Sequence, residues 1–291
     1  MRKLLLFVLL AFTTTFAFTQ NIKKEFTISD FNGIDASGVF KIELIKSNDH
    51  GVTVEASQEM MQFVIVKVVR GKLVLGLEPD IPRKLRNNQK PIIATVRMNA
   101  LNSLEMSGVV SLHTTSSFTP DRFFAELSGV TSVEGLSIDS KEAGIVLSGA
   151  SSISLEGKIM DAKYELSGAC KAFLGHTSER LLMEASGASN IELSGNIQFV
   201  GLSFSGAVNC GFNGSGCKEL KLEMSGASNF KSLDNPINEA SVKLSGVSNA
   251  SVYVTGSLTA EASGGSNIKY KGNPEIKSLD ISSISTFKKI N

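Results

Sequence analysis

A row of glutamates recurs at one place in a repeated sequence and is the first candidate for chemistry. Each member stands two residues before a Ser-Gly pair: Glu105, Glu126, Glu165, Glu184, Glu223 and Glu261. Paired carboxylates can act as the acid and base of a glycosidase or as ligands for Ca²⁺. Other copies of the repeat carry Val146, Ser203 and Lys243 at this position, so the sequence predicts no more than two consecutive glutamates. Such interruptions are typical of a solvated face that limits repulsion, and a cation site at Glu165 and Glu184 is the alternative.

The other residue types that catalyse or bind metals follow no common pattern. Four aspartates lie at unrelated positions of the repeat: Asp121, Asp139, Asp161 and Asp234. The three histidines do the same: His50, His113 and His176. The sequence has no metal-ligand spacing, phosphate-binding glycine loop, nucleophile elbow or calcium-binding glycine-rich nonapeptide. We therefore predict no catalytic residue, no cofactor and no metal, and a protein that is not an enzyme.

Four basic residues cluster in the segment PDIPRKLRNNQKP, which also holds three of the six prolines. They are Arg83, Lys84, Arg86 and Lys90. Proline and asparagine in this density predict a protruding loop. Its charge makes the loop a candidate contact for an anionic polymer, and a solvated loop without a ligand is the alternative.

The three cysteines are too few, and odd in number, for a disulfide framework. They are Cys170, Cys210 and Cys217. A Cys210–Cys217 disulfide is one interpretation. However, Cys210 falls where neighbouring copies place Ile191 and Phe230, which favours a buried thiol that packs as a small apolar group.

The N-terminal segment MRKLLLFVLLAFTTTFAFTQ has the pattern of a secretory signal. Arg2 and Lys3 precede an apolar stretch from Leu4 to Phe12 that is too short to span a bilayer. Residues 1–19 are therefore predicted to be a cleaved signal peptide, with a buried helix or an anchor as alternatives. No cysteine lies nearby, so a lipid anchor is not expected, and no later stretch is long and apolar enough to cross a membrane. The net charge of +1 gives no general attraction to nucleic acid.

The elements that must position all these residues are defined by an internal repeat. Ser-Gly pairs recur at steps of 18 to 21 residues and begin at Ser107, Ser128, Ser148, Ser167, Ser186, Ser205, Ser225, Ser245 and Ser263. A degenerate copy, DISSIST, begins at Asp280. Before each pair, apolar and polar residues alternate, as where Tyr164 and Leu166 flank Glu165. This period of two predicts a half-buried strand that ends at the Ser-Gly pair.

A repeat of 19–20 residues leaves no room for helices, and the leucine-rich pattern of that length is missing. Coils of short strands that stack about 4.8 Å apart satisfy the pattern. Because such crossovers are right-handed, we predict an all-β, right-handed parallel β-helix with about 19–20 residues per coil. The prediction is one domain over residues 20–291, with irregular coils and capping strands at 20–100 and regular Ser-Gly coils at 101–291.

Two apolar columns are expected inside the coils, one on each side of the Ser-Gly corner. The first is Leu147, Leu166, Ala185, Phe204, Met224, Leu244 and Ala262. The second is Ile153, Ala172, Ile191, Cys210, Phe230, Ala250 and Ile268.

A polar column is expected four positions after each serine of the Ser-Gly pair. It begins with Ser111, Ser132, Ser152 and Lys171 and continues as Asn190, Asn209, Asn229, Asn249 and Asn267. Asparagine tolerates tight corners, and stacked amides can form a hydrogen-bonded ladder. Lys171 interrupts it. The alternative interpretation of the column is a polar binding stripe.

The first 80 residues after the signal are less regular. The segments GVFKIELIKS and VTVEAS predict two strands around the turn NDHG. The segments FVIVKVV and KLVLGLE predict a second pair around Arg70 and Gly71. These strands are expected to form imperfect coils that close one end of the solenoid.

The recurring SGASN and SGVSN motifs, the secretory N-terminus and the closing STFKKIN resemble the auto-transporter adhesin head domain called the GIN domain. That family is common in secreted proteins of Bacteroidetes. The resemblance covers roughly residues 26 to 291 and implies a β-helical fold and an adhesin role, with no catalytic residues to carry over. It implies an exported, non-enzymatic protein in the periplasm, on the cell surface or outside the cell, with an unidentified polymer or protein as partner. A polysaccharide lyase or glycoside hydrolase is the alternative function; the absence of tryptophan argues against stacking on sugars.

Overall fold

The structure is a computed structural model that describes residues 21–28, 30–87 and 90–291. The predicted signal peptide at 1–19 lies outside the described residues. Within them, the chain forms twenty strands and two short helices, α1 Gln58–Met61 and α2 Arg83–Asn87. The strands are β1 Asn21–Phe26, β2 Gly33–Lys46, β3 Gly51–Ser57, β4 Val64–Val69, β5 Lys72–Leu77, β6 Ile92–Met98, β7 Ser103–His113, β8 Ser117–Phe118, β9 Arg122–Leu127, β10 Val130–Leu147, β11 Ser152–Leu166, β12 Lys171–Ala185, β13 Asn190–Phe204, β14 Asn209–Ser215, β15 Glu219–Met224, β16 Asn229–Leu244, β17 Asn249–Ala262, β18 Asn267–Lys271, β19 Glu275–Ile281 and β20 Thr286–Lys289.

From β7 onward, the strands of one coil pair in parallel with the equivalent strands of the next. The register follows the repeat: Leu166 of β11 lies opposite Ala185 of β12, which lies opposite Phe204 of β13. The same is true beyond the corner, where Asn190 lies opposite Asn209. Whole coils therefore stack in step, and the predicted parallel β-helix is confirmed.

The interior contains the two predicted apolar columns. Every residue expected in them is buried. Each also lies opposite its expected neighbour in the adjacent coil. Small members lie between bulky ones at some places, as with Ala185 between Leu166 and Phe204, so neighbouring coils can interdigitate there. The core predicted from the period-two pattern is confirmed.

The cysteines are part of this interior. Cys170, Cys210 and Cys217 are all buried and free, so the Cys210–Cys217 disulfide is not formed. Burial raises the pKa of the Cys210 and Cys217 thiols. They therefore stay protonated and pack as small apolar groups, as expected for Cys210.

A glycine with a positive φ turns each corner. At Gly187 the φ is 76°, and an added Cβ would lie 2.5 Å from the carbonyl oxygen of Gly168 in the preceding coil. Ten glycines of the described chain share this place: Gly38, Gly108, Gly129, Gly149, Gly168, Gly187, Gly206, Gly226, Gly246 and Gly264. Residues with a side chain disfavour this backbone conformation. At all of these glycines except Gly38, the backbone of the preceding coil also leaves no room for a Cβ.

A row of small polar residues lies on the inside of the same corners. The sequence alone did not predict that these residues are buried. The second serine of SGASN is buried at Ser189, and its hydroxyl donates to the carbonyl of Ser186 at 3.3 Å. Cys170 takes this place one coil earlier, with its thiol 3.2 Å from the carbonyl of Ser167. Equivalent buried residues are Ser151, Ser228, Ser248 and Ser266. The motif thus places one hydroxyl where it satisfies a carbonyl of the turn.

The N-terminal end of the stack carries antiparallel strands. β4 and β5 form the predicted hairpin around Arg70 and Gly71. β2 and β3 both form, but they do not pair with each other, so the predicted pairing is wrong. Instead β6 lies between them, parallel to β2 and antiparallel to β3, and β1 adds to the far side of β3. Local turn signals cannot show this, because β6 follows the β4–β5 hairpin in the sequence.

The Ser-Gly stack begins one coil before residue 101. Ser37 and Gly38 in β2 lie opposite Ser107 and Gly108 in β7, in parallel register. Seventy residues separate Ser37 from Ser107 because β3 to β6 and both helices are inserted between these coils. This long step hides the first copy from a search for even spacing.

Candidate functional site

The outward glutamates lie in one column, interrupted by Val146, Ser203 and Lys243, because equivalent residues of successive coils are in register. The row starts with Asp35, which lies opposite Glu105, which in turn lies opposite Glu126. The glutamates themselves are no more than two in succession here, since Val146 follows Glu126, but Asp35 adds a third carboxylate that the repeat did not show. Lys72 forms an ion pair with Glu105 and offsets part of the repulsion. Burial and the Glu105 carboxylate raise the pKa of Asp35, and Lys72 opposes that rise.

Glu165 and Glu184 lie opposite each other in adjacent coils, beside a shallow groove of about 270 Å³. The ammonium of Lys163 is 2.8 Å from Glu165 Oε1, so one of the two carboxylates already has a cation. Within residues 21–28, 30–87 and 90–291, no group of three or more His, Cys, Asp or Glu is arranged to hold a metal ion. A cation at this place would have two carboxylates, one of them shared with Lys163.

The basic segment folds differently from the loop that the sequence predicts. Its first residues form helix α2, because Pro82 begins a helical turn in which its carbonyl accepts from the amides of Leu85 and Arg86 at 2.9 and 3.0 Å. Leu85 is partly buried against the core and anchors the helix. The loop prediction is therefore wrong for Arg83–Asn87. The four basic side chains are exposed: Arg83, Lys84, Arg86 and Lys90.

Two of these basic residues share a cleft of about 370 Å³ at the N-terminal end of the solenoid. Lys84 and Lys90 line it together with the apolar side chains of Met60, Leu85 and Ile92. Glu59 also lines the cleft, so two ammonium groups face one carboxylate and an apolar wall. The remaining positive charge suits an anionic group carried on a less polar body. Arg83 and Arg86 extend the positive charge outside it.

The asparagine column forms a hydrogen-bonded ladder on the other side of the corner. Each side-chain amide donates from Nδ2 to Oδ1 of the preceding coil, at 3.4 Å for Asn209 to Asn190 and 2.9 to 3.0 Å for the rest. The remaining donors are Asn229, Asn249 and Asn267. An inner member thus uses one N–H and one lone pair and leaves one of each for solvent. Lys171 precedes Asn190 in the register, and its side chain has no oxygen that could accept from the Asn190 amide, so the ladder starts at Asn190.

The interior also contains a polar cluster that the sequence analysis misses. Tyr164 Oη lies 2.8 Å from His176 Nε2, and Ser178 Oγ lies 2.7 Å from Nδ1. All three side chains are buried. The sequence does contain a signal for the burial of His176, since this residue continues the inward alternation of Ala172 and Leu174. Because solvent does not reach the cluster, it serves the core as a satisfied hydrogen-bond network.

Acid is expected to destabilise the protein through His176. Burial lowers the pKa of His176 to about 4, below the ordinary value of about 6.5. Between these values the unfolded chain takes up a proton that the folded chain does not, so stability falls as the pH falls. From pH 6.5 to pH 5 the loss is about 1.6 kcal/mol, which urea unfolding at a series of pH values measures.

The matched variant is His176→Gln, which keeps a polar group without the titration. Its unfolding free energy should change much less over the same window, whatever its stability at pH 7.5. Carboxyl groups of ordinary pKa are ionised throughout this window and contribute little to the slope. The same slope in both proteins would contradict the assignment to His176.

The fold and these sites define a parallel β-helix protein with an acidic row, a basic cleft and an amide ladder on its outside. The chain belongs to the family described as "Putative auto-transporter adhesin, head GIN domain", which matches residues 30–174 and 174–274. The resemblance carried by the SGASN motifs is therefore confirmed.

Two solved structures from the genus Parabacteroides have a similar fold. A protein titled a putative adhesin from Parabacteroides merdae is 16% identical, with a TM-score of 0.53 over 94% of this chain and 97% of the other. One titled a putative lipid binding protein from Parabacteroides distasonis is 18% identical, with a TM-score of 0.51 over 93% and 97%. At these identities the likeness shows the shared fold. No curated protein matches the sequence.

Proposed function

We propose that this chain is an exported, non-enzymatic adhesin that attaches to a cell-surface polymer or protein through the outer faces of its solenoid. The observation that supports this most directly is membership of an adhesin family over most of the chain. Export rests on the predicted signal peptide at residues 1–19, and its removal leaves one domain at 20–291. No helix of the described chain has the length and apolar character needed to cross a bilayer.

The geometry suits attachment to extended partners. Outward residues of one column recur at every coil, about 4.8 Å apart. An extended ligand lying along the solenoid axis therefore meets the same kind of side chain many times. The binding free energies of individually weak contacts can add along such a ligand, provided that the ligand stays in register with the coils.

The proposed function and the enzymatic alternative are separated by one screen. Purified protein is incubated with neutral and anionic glycans, and both binding and chain cleavage are measured. We expect binding without cleavage. Reproducible cleavage that disappears in Glu165→Gln and Glu184→Gln variants would replace the adhesin proposal with a polysaccharide lyase or glycoside hydrolase.

We also propose that the basic cleft and helix α2 contact an anionic surface polymer. Alanine at Arg83, Lys84, Arg86 and Lys90 is expected to lower the affinity for acidic glycans or lipopolysaccharide about tenfold, because charge complementarity contributes to such binding. Wild-type binding should also weaken as salt rises. Equilibrium binding at 50 and 300 mM salt measures both effects.

The control replaces four exposed cations that already pair with carboxylates: Arg122, Lys141, Lys163 and Arg180. It changes the net charge by the same amount. Equal affinity of the two quadruple variants for acidic glycans would refute a binding role for the basic cleft. The four basic residues would then be solvated side chains without a ligand.

A further inference from the structure

A row of lysines runs beside the C-terminal part of the asparagine ladder. Lys231 stands two residues after Asn229, and Lys269 stands two residues after Asn267. The register places Lys231 opposite Ser251, Ser251 opposite Lys269 and Lys269 opposite Lys288. Three ammonium groups therefore lie along one line that crosses four coils.

These lysines differ from those near the glutamate row in having no carboxylate partner. Lys163, Lys221 and Lys243 each pair with a glutamate at 2.8 to 3.1 Å. In the described part of the chain, none of Lys231, Lys269 and Lys288 forms an ion pair. Lys269 and Lys288 come from adjacent coils, and like charges about 5 Å apart repel by roughly 1 kcal/mol even in water. An anion placed between them would remove this repulsion.

The ladder beside the lysines offers the hydrogen bonds that a sugar hydroxyl needs. Each inner amide keeps one free N–H and one free lone pair, as at Asn229 and Asn249. A hydroxyl group is both a donor and an acceptor, so it can satisfy both. Amides about 4.8 Å apart can therefore bind successive hydroxyl-bearing units of a linear chain.

We propose that this amide–lysine face (Asn229, Asn249, Asn267, Lys231, Lys269 and Lys288) binds a linear acidic polysaccharide that lies along the solenoid axis. Carboxylate or sulfate groups of the polymer pair with the lysines, and its hydroxyls bind the amides. The proposal rests on the proposed attachment function, names the ligand class, and uses a surface separate from the basic cleft.

A single-stranded nucleic acid fits this face less well. Such ligands bind through aromatic side chains on which bases stack. Of the aromatic side chains near this face, Tyr253 has the ammonium of Lys271 over its ring at 5.0 Å from the centroid, and Tyr270 and Phe287 are partly buried and stack on each other. The face therefore offers charge and hydrogen bonds without an open stacking platform.

The test compares two triple variants of the full chain in binding to polygalacturonate and dextran sulfate. The first is Lys231→Gln, Lys269→Gln and Lys288→Gln; the matched control is Lys163→Gln, Lys221→Gln and Lys243→Gln. Each lowers the formal net charge by three, so a general electrostatic effect would change both equally. We expect at least a tenfold loss of affinity in the first and less than a twofold change in the control. Neutral dextran should bind to neither triple variant.

Equal loss in both triple variants, or no loss in the first, overturns the proposal. Tighter binding of oligo(dT) than of polygalacturonate, lost in the first variant, would overturn it in favour of a nucleic-acid ligand. The single variant Lys269→Gln, with an expected loss of two- to threefold, keeps the test valid if the triple variant folds poorly.

An attachment assay on whole cells keeps this result distinct from the proposed function. A wild-type protein that attaches to cells and ignores both acidic polysaccharides overturns the ligand class alone. A protein that binds neither cells nor glycans removes the proposed function as well.

Discussion

Leu166→Asp is expected to unfold several coils of the solenoid and to lower stability by about 4 kcal/mol or more. Leu166 is 3% exposed and lies in the first apolar column, between Leu147 and Ala185. The new carboxylate would lose its hydration in a place where its column neighbours are apolar and cannot pair with it. Because each coil packs against the next, the damage should spread to adjacent coils. Circular dichroism during thermal unfolding measures it.

The control for this variant is its immediate neighbour. Glu165 points outward and pairs with Lys163 at 2.8 Å, with both side chains about half exposed. Surface pairs of this kind contribute little, so Glu165→Gln should change stability by less than about 0.5 kcal/mol. Similar melting of Leu166→Asp and Glu165→Gln would contradict the inward and outward phases on which the fold depends.

Gly187→Ala is expected to be nearly as damaging, although it adds a single methyl group. The backbone at Gly187 has a φ of 76°, and the new Cβ would meet the Gly168 carbonyl oxygen at 2.5 Å. The positive φ costs about 1–2 kcal/mol for alanine, and overpacking adds about 1–3 kcal/mol. Neither strain can be relieved locally, because the neighbour is the backbone of a stacked coil. Urea unfolding of the variant measures the sum.

Gly265→Ala is the matched control for the corner. Gly265 follows the corner glycine Gly264 at the place that Ala188 and Ala227 fill in other coils. A Cβ there would have no heavy atom within 4 Å. Alanine should therefore be neutral, or stabilise by about 0.4–1 kcal/mol through the unfolded state. Equal destabilisation by Gly187→Ala and Gly265→Ala would show that corner stacking is not what requires glycine.

The sequence predicts the regular coils well because one physical constraint repeats in them. Side-chain direction has a period of two, and stacking forces each coil to keep the same phase. The inward positions of a copy with an irregular sequence can therefore be read from the copies on either side. Both apolar columns and the corner glycines follow from this. The polar cluster around His176 obeys the same phase. It was not predicted because histidine is a polar residue that is not expected inside a core.

Apart from helix α2, the features that the sequence does not predict lie where contacts join residues that are far apart in the sequence. The pairing of β6 between β2 and β3, and the place of Asp35 at the head of the acidic row, both depend on the segment inserted between β2 and β7. No local pattern encodes either contact. The candidate sites are harder still, because the lysine row is visible only when Lys231, Lys269 and Lys288 are placed in register.

The direction of the hydrogen bonds between coils determines how this molecule responds to a pulling force. Strands β1 and β20 lie at opposite ends of the stack. A tension applied between the two termini therefore acts along the bonds that join successive coils, and it loads one coil at a time. The end strands yield first, since β1 pairs with β3 alone and β19 pairs with β17 alone, which leaves Ile276 and Leu279 exposed. Each 19-residue coil that peels away lengthens the chain by about 65 Å. An adhesin built in this way would absorb mechanical work in steps and keep hold of its ligand through the coils that remain.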